Sequence, residues 1–265
     1  MSQDPQQDRP DELDGTEQPF VSHLIELRDR LIRSLIAVGI VFGLLFLWPS
    51  PSGLYDLLAA PLVAHLPQGS TMIATNVISP FIVPLKITMM TAFLIALPYV
   101  LYQVWAFVAP GLYSHEKKLV LPLVISSTIL FLLGVAFCYF FVFGQVFSFI
   151  QSFAPKSITA APDIEAYLSF VLTMFLAFGL TFEVPIVVVV LVRMGVVGID
   201  KLRSFRSYFI VLAFIIAAIV TPPDVISQLA LAIPMCLLYE AGLWAAQVFV
   251  KHTRAPDAEE DLAAK

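Results

Sequence analysis

From Tyr167 to Val192 the chain runs for about 26 residues with one charged side chain, Glu183, and one proline, Pro185. As an α-helix such a run is roughly 39 Å long, against a bilayer hydrocarbon core of roughly 30 Å. Lipid admits only segments that satisfy their own backbone polar groups, so the stretch dictates a membrane-spanning helix that tilts or bends. Pro185 supplies a cause for a bend, because it donates no hydrogen bond and its ring crowds the Thr181 carbonyl. Glu183 has no Lys or Arg within two helical turns. An ionisable group at membrane depth is costly, so it faces a bundle interior, a wet cavity or a partner, and it marks a functional position. Taken alone, the stretch reads as part of a proton or ion path.

Apolar length marks six spans, at about 31–48, 87–108, 119–143, 167–192, 208–220 and 225–250. The chain is 59% hydrophobic and 13% charged, and a soluble domain carries roughly twice that charge. The expectation is an all-α polytopic membrane protein. Pro98, Pro122, Pro185 and Pro234 fall inside spans, which lipid tolerates where neighbouring helices satisfy the freed carbonyls. No internal repeat is visible, which removes support for an inverted-repeat carrier. The fifth span makes only about 20 Å of helix. The turn Thr221-Pro-Pro-Asp224 leads straight into the sixth, so the two form a short antiparallel hairpin. Such a hairpin implies local bilayer thinning or polar groups dipping into the membrane.

Orientation follows from the basic residues. Arg9, Arg28, Arg30, Arg33, Lys117, Lys118, Arg193, Lys201, Arg203, Arg206, Lys251, Arg254 and Lys265 fall on one side, and Lys86 and Lys156 on the other. The positive-inside rule makes the first side cytoplasmic, with both termini inside. Residues 1–19 read as a disordered cytoplasmic tail, 20–250 as the membrane domain and 251–265 as a second cytoplasmic tail. The N-terminal segment has neither the basic region of a signal peptide nor the Arg/Ser-rich character of a transit peptide, which fits a bacterial inner membrane protein. The net charge of −5 sits mostly in the tails and implies no nucleic-acid partner.

Little in the chain supports catalysis. His23, His65, His115 and His252 all lie outside the spans, and H-E-x-x-H, G-x-S-x-G and P-loop patterns are missing from the sequence. Cys138 and Cys236 lie in apolar runs without metal or redox spacing and read as small packing residues. No cofactor or metal is implied. In the outer loop, Leu54 to Leu66 mixes apolar residues with Asp56, Pro61 and His65. It reads either as an interfacial helix interrupted at Pro61 or as an ordered cap with no ligand of its own.

Two further stretches carry charge at the basic side. Leu24, Leu27, Leu31 and Leu35 recur at helical spacing, so the approach to the first span is an amphipathic helix. Its plain reading pairs Glu26 with Arg30 at i,i+4, worth about 0.3–0.5 kcal/mol. The loop from Tyr102 to Lys118 carries Trp105, Phe107, Tyr113 and Glu116; its aromatics are those of any membrane interface, and Glu116 alone reads as a solvated charge.

Ser22–Arg28 (SHLIELR), Leu66–Thr75 (LPQGSTMIAT), Leu101–Phe107 (LYQVWAF), Tyr167–Phe170 (YLSF), Phe182–Pro185 (FEVP) and Thr221–Gln228 (TPPDVISQ) together resemble the TatC family, the multi-spanning receptor subunit of the twin-arginine protein translocase. The matches run in family order from about Val21 to Val250. The resemblance implies a six-helix, cupped bundle with both termini inside. It implies binding of signal peptides that bear an Arg-Arg pair on folded cargo, assembly with the single-span partners TatA and TatB, a multimeric complex with TatB, and export driven by the proton motive force. The residues matching the family's arginine-binding acids are Glu26 and Glu116, with Arg28 and Phe107 completing the site. A carboxylate accepts the planar fork of a guanidinium bidentately, a geometry Lys cannot reproduce. Thr221 and Gln228 match positions that dock a partner helix, and Glu183 with Pro185 becomes a polar docking point inside the membrane. Asn76 departs from the pattern, standing where many members carry an acid. The rival reading is a secondary transporter with Glu183 as its proton carrier.

Overall fold

A backbone in hydrocarbon must pair its own N–H and C=O groups, and the apolar runs do so as α-helices. The computed structural model describes residues 17–55, 73–108, 120–153, 163–221 and 224–250. In order the helices are α1 Glu17–Leu47, α2 Ser79–Val108, α3 Val120–Phe137, α4 Phe143–Phe153, α5 Ile164–Phe182, α6 Val184–Arg193, α7 Ile199–Ser204, α8 Arg206–Val220 and α9 Val225–Val250. Among the described residues the only β-type pairing is a single bridge between Ile73 and Asp163. Five stretches are long and apolar enough to cross a membrane: Val21–Leu47, Ser79–Val108, Val120–Phe149, Ile164–Arg193 and Val225–Val248. Arg206–Val220 is the short apolar helix of the hairpin. At 15 residues it is about 22 Å long, as the short fifth span required.

Two helix ends differ from the sequence reading. The second span begins at Ser79 rather than near 87. Lys86, just before the expected start, lies inside the helix and bonds Glu165 Oε1 at 3.0 Å and Ser169 Oγ at 3.1 Å on α5. The third span runs on to Phe153 through one π turn, Cys138–Val142. The expected end lay near 143; beyond it Gln145 and Ser148 occupy one face of α4 and the opposite face is aromatic. Phe143 packs on Phe170 and Phe175, and Phe147 stacks on Tyr167 with centroids 5.3 Å apart.

Close helix approach sets the frame. An added Cβ on Gly134 of α3 would lie 2.5 Å from the Phe178 carbonyl oxygen of α5, and one on Gly179 would enter the ring of Phe131. In α9, a Cβ on Gly242 would lie 2.9 Å from Pro185 Cα. Missing side chains let backbones approach where lipid offers no hydrophobic drive. Around these crossings lie two apolar clusters. One, with Cys138, Val146, Met174 and Phe178, ties α3, α4 and α5 to α9; the other, with Val188, Leu202, Phe209 and Tyr239, ties α6, α7 and α8 to α9. By contrast, α1 packs chiefly on α2 and exposes Leu31, Leu35, Ile36, Ile40 and Leu44.

At the end away from the arginine-rich side, Asp163 caps α5. Its Oδ1 accepts from the Glu165 and Ala166 amides, and its Oδ2 from the Thr75 amide and hydroxyl. These bonds hold the carboxyl well below the usual range, at about 2.

Candidate functional site

The basic end of the bundle is built where α1 leans on the last turns of α2. Glu26 lies on the inner edge of α1, and its Oε1 accepts from Arg30 Nε at 2.9 Å and Nη2 at 2.6 Å. The i,i+4 pair of the plain reading therefore forms. Arg30 Nη1 also donates to Gln103 Oε1 of α2 at 3.3 Å, and Gln103 is buried. Beside them the His23 ring stacks on Phe107, with centroids 4.3 Å apart and 19° between planes. Both Arg30 bonds land on Oε1, so Arg30 occupies one of the two oxygens of the Glu26 carboxylate. Arg28 points outward and pairs with Asp29 at 2.9 Å, its side chain 66% exposed. Glu116 and Pro61 lie outside the described residues.

A second polar group lies inside the membrane span. The helix ladder breaks at Glu183: its amide bonds Leu180 O, and the Ile186 amide returns to Glu183 O, both with i→i+3 spacing. Pro185 sits in the first turn of α6, where a missing N–H costs least. The bend expected from Pro185 thus becomes a break between α5 and α6. The Glu183 side chain is 9% exposed, and neither carboxylate oxygen has a hydrogen-bond partner among the described residues. Ser127 of α3 is the polar side chain beside it, close enough to interact without closing a hydrogen bond. Ser127 is itself wholly buried and accepts from Trp105 Nε1 of α2 at 2.8 Å. Three helices therefore converge on one buried polar node.

Sequence reasoning reached Glu183 but missed Ser127, and it read Trp105 only as an interface aromatic. The available signal was Ser126-Ser127-Thr128, three adjacent hydroxyls in an otherwise apolar run.

At the hairpin, Thr221 is buried and its hydroxyl donates to Ala217 O at 2.8 Å. Gln228 lies at the surface of α9 and its Nε2 donates to Phe214 O at 3.3 Å. Only Gln228 of this pair presents a polar group outward. The Asn76 side chain accepts from the Ile78 amide and shapes the turn into α2.

Residues 22–234 match the family profile described as TatC, Sec-independent protein translocase protein. The chain belongs to the TatC family. It is 51% identical over 232 residues to the Sec-independent protein translocase protein TatC of Haemophilus influenzae, covering 88% of this chain and 90% of that one. To the Escherichia coli K12 protein it is 48% identical over 233 residues, with the same coverage. A Halothiobacillus neapolitanus relative is 55% identical over 240 residues, 91% of this chain but 65% of that longer protein. Among solved structures, a crystal structure of the twin-arginine translocase receptor TatC superposes with a TM-score of 0.74 at 41% identity, covering 85% of this chain and 98% of that one. Family membership and five span-length helices make this a membrane protein and a transport component. The family profile takes in Glu26, Phe107, Glu116, Glu183, Thr221 and Gln228.

Proposed function

We propose that this chain is the receptor subunit of a twin-arginine translocase in the bacterial inner membrane, with its arginine-rich end and both termini in the cytoplasm. It binds twin-arginine signal peptides of folded cargo and assembles with TatA and TatB. The observation that carries the reading is the Glu26 cluster: a half-buried carboxylate already engaging a guanidinium, next to a stacked His23–Phe107 pair. An incoming arginine that displaces Arg30 finds a carboxylate whose two oxygens match its planar fork, and the aromatic pair beside it offers a contact for the apolar segment that follows. Glu116 supplies the second carboxylate and Arg28 flanks the site.

Glu183 serves as a docking point for a partner's membrane helix, with Gln228 and Thr221 at a second contact. A buried carboxylate lacking an internal partner favours an occupant that brings a polar group. The carrier alternative is weaker. The groups leading from Glu183 are Ser127 and then the Trp105 indole, and an indole N–H donates but accepts no proton. A relay ending there is a poor wire.

The test is photocrosslinking of a twin-arginine signal peptide to the membrane-embedded protein. Glu26→Ala combined with Glu116→Ala is expected to abolish the adduct while membrane insertion is unchanged. Undiminished crosslinking in the double variant would overturn the assignment of both residues.

A further inference from the structure

Two ion pairs among the described residues join different helices and so tie the bundle: Lys86 of α2 with Glu165 of α5 at 3.0 Å, and Arg206 of α8 with Glu240 of α9 at 2.6 Å. Two others, Arg28–Asp29 and Arg203–Asp200, stay within one helix and are exposed. The Arg30–Glu26 pair is of neither kind. It stays within α1, one turn apart, yet its side chains are only 22% and 35% exposed. Opening it separates no helices; beyond Glu26 the guanidinium is tied only by the bond from Nη1 to Gln103 Oε1 of α2, long at 3.3 Å. The geometry also divides the carboxylate. Arg30 Nε and Nη2 both reach Oε1, at 2.9 and 2.6 Å, so Oε2 carries no bond from Arg30. A guanidinium that binds fork to fork needs both oxygens, so Arg30 has to leave Oε1 first. An ammonium is a single point charge and is satisfied by Oε2 with Arg30 still in place.

We propose that Arg30 is a resident ligand of the Glu26 site, an internal guanidinium that holds the carboxylate until a signal-peptide arginine replaces it, and that this exchange sets the affinity at which the receptor fills. This rests on the reading of Glu26 as an arginine-binding residue. Exchanging one guanidinium for another keeps the half-buried carboxylate compensated, whereas an empty Glu26 would stand as an unpaired, partly desolvated charge. The exchange needs only side-chain rotors. The α1 backbone stays in place, and what is given up is a local i,i+4 pair of small net worth. Gln103 accepts from Nη1, the nitrogen that Glu26 does not use, and so keeps the guanidinium near α2 as Nε and Nη2 let go. Arg30 acts through Glu26 and is a positioning residue rather than a contact of the peptide.

The experiment titrates labelled Arg-Arg and Lys-Lys signal peptides against the intact translocase in membrane vesicles. Arg30→Gln and Arg30→Met, which keeps an apolar stem, are each expected to tighten Arg-Arg binding about threefold to tenfold, the factor of one net hydrogen bond. Lys-Lys binding changes by less than about twofold, because an ammonium on Oε2 never required Arg30 to leave. The Arg-Arg preference therefore widens. Arg33→Gln removes an exposed positive charge two turns beyond Glu26 on α1 and controls for charge alone. In a Glu26→Gln background Arg30→Gln brings no gain. Misfolding weakens binding and cannot tighten it, and a thermal midpoint identifies which variants are folded. Unchanged or weaker Arg-Arg binding in a folded Arg30 variant would overturn the proposal. So would an equal gain for both peptides, or an equal gain from Arg33→Gln, since charge alone behaves that way. If Glu26→Ala weakens binding while neither Arg30 variant tightens it, the resident-ligand role fails and the reading of Glu26 stands. If Glu26→Ala leaves Arg-Arg binding intact, that reading fails and this inference with it.

Discussion

Replacing Gly134 by Ala tests whether the α3–α5 crossing sets the geometry of the buried node. The new Cβ would lie 2.5 Å from the Phe178 carbonyl oxygen and 3.0 Å from the Phe182 ring. The first contact is with backbone, so no rotamer change relieves it. Restoring an ordinary separation requires the helices to part by about 1 Å, and overpacking of this kind costs about 1–3 kcal/mol. At about 2–4 °C per kcal/mol for a chain of this size, the unfolding midpoint falls by roughly 2–12 °C. Cys138 is wholly buried and supplies a native reporter, so a thiol-reactive fluorophore in detergent reads the transition directly. Gly39→Ala is the control, since a Cβ there meets nothing within 4 Å. It is expected to leave the midpoint unchanged or raise it slightly through helix propensity. A Gly134→Ala midpoint equal to that of Gly39→Ala would refute the close-approach argument.

Three further outcomes follow from other contacts. Glu183→Gln keeps hydrogen bonding but cannot titrate; preserved export in vivo supports docking, and loss of export equal to that of Glu183→Ala supports proton relay. Tyr239→Phe removes the bond from the buried hydroxyl to Leu202 O at 2.9 Å, leaves the stack on Phe209, and is expected to destabilise the fold by about 0.5–1.5 kcal/mol in the same thermal assay. The Asp163 cap is pH-dependent, and because its folded pKa of about 2 lies below that of an unfolded aspartate, its contribution is full above roughly pH 4 and is lost as pH falls toward 2. Hydrogen-exchange protection of the Thr75 amide, compared with Asp163→Ala, checks this, and protection already absent at pH 5 would contradict it.

The spans were legible because lipid leaves an apolar run one way to satisfy its backbone. Their ends were less so, since an end depends on partners distant in sequence. Lys86 is held inside α2 by Glu165 and Ser169, and the helix continues past Gln145 because the aromatic face of α4 packs on Phe170 and Phe175. The site divides similarly. The Glu26–Arg30 pair follows from i,i+4 spacing, and Glu183 follows from the cost of a charge in lipid. Gln103, which ties Arg30 to α2 across 73 positions, carries no local signal. Ser127 and Trp105 carry only signals common in membrane helices, and their pairing exists only once α2 packs on α3.

The central claim is that this chain selects arginine pairs through Glu26, and the direct measurement is signal-peptide affinity for the reconstituted protein. Arg-Arg and Lys-Lys peptides are titrated against the native chain and Glu26→Ala. The account predicts that the native chain prefers Arg-Arg by tenfold or more, about 1.4 kcal/mol, and that Glu26→Ala removes most of that preference. Equal affinity for both peptides, or a preference untouched by Glu26→Ala, would contradict it.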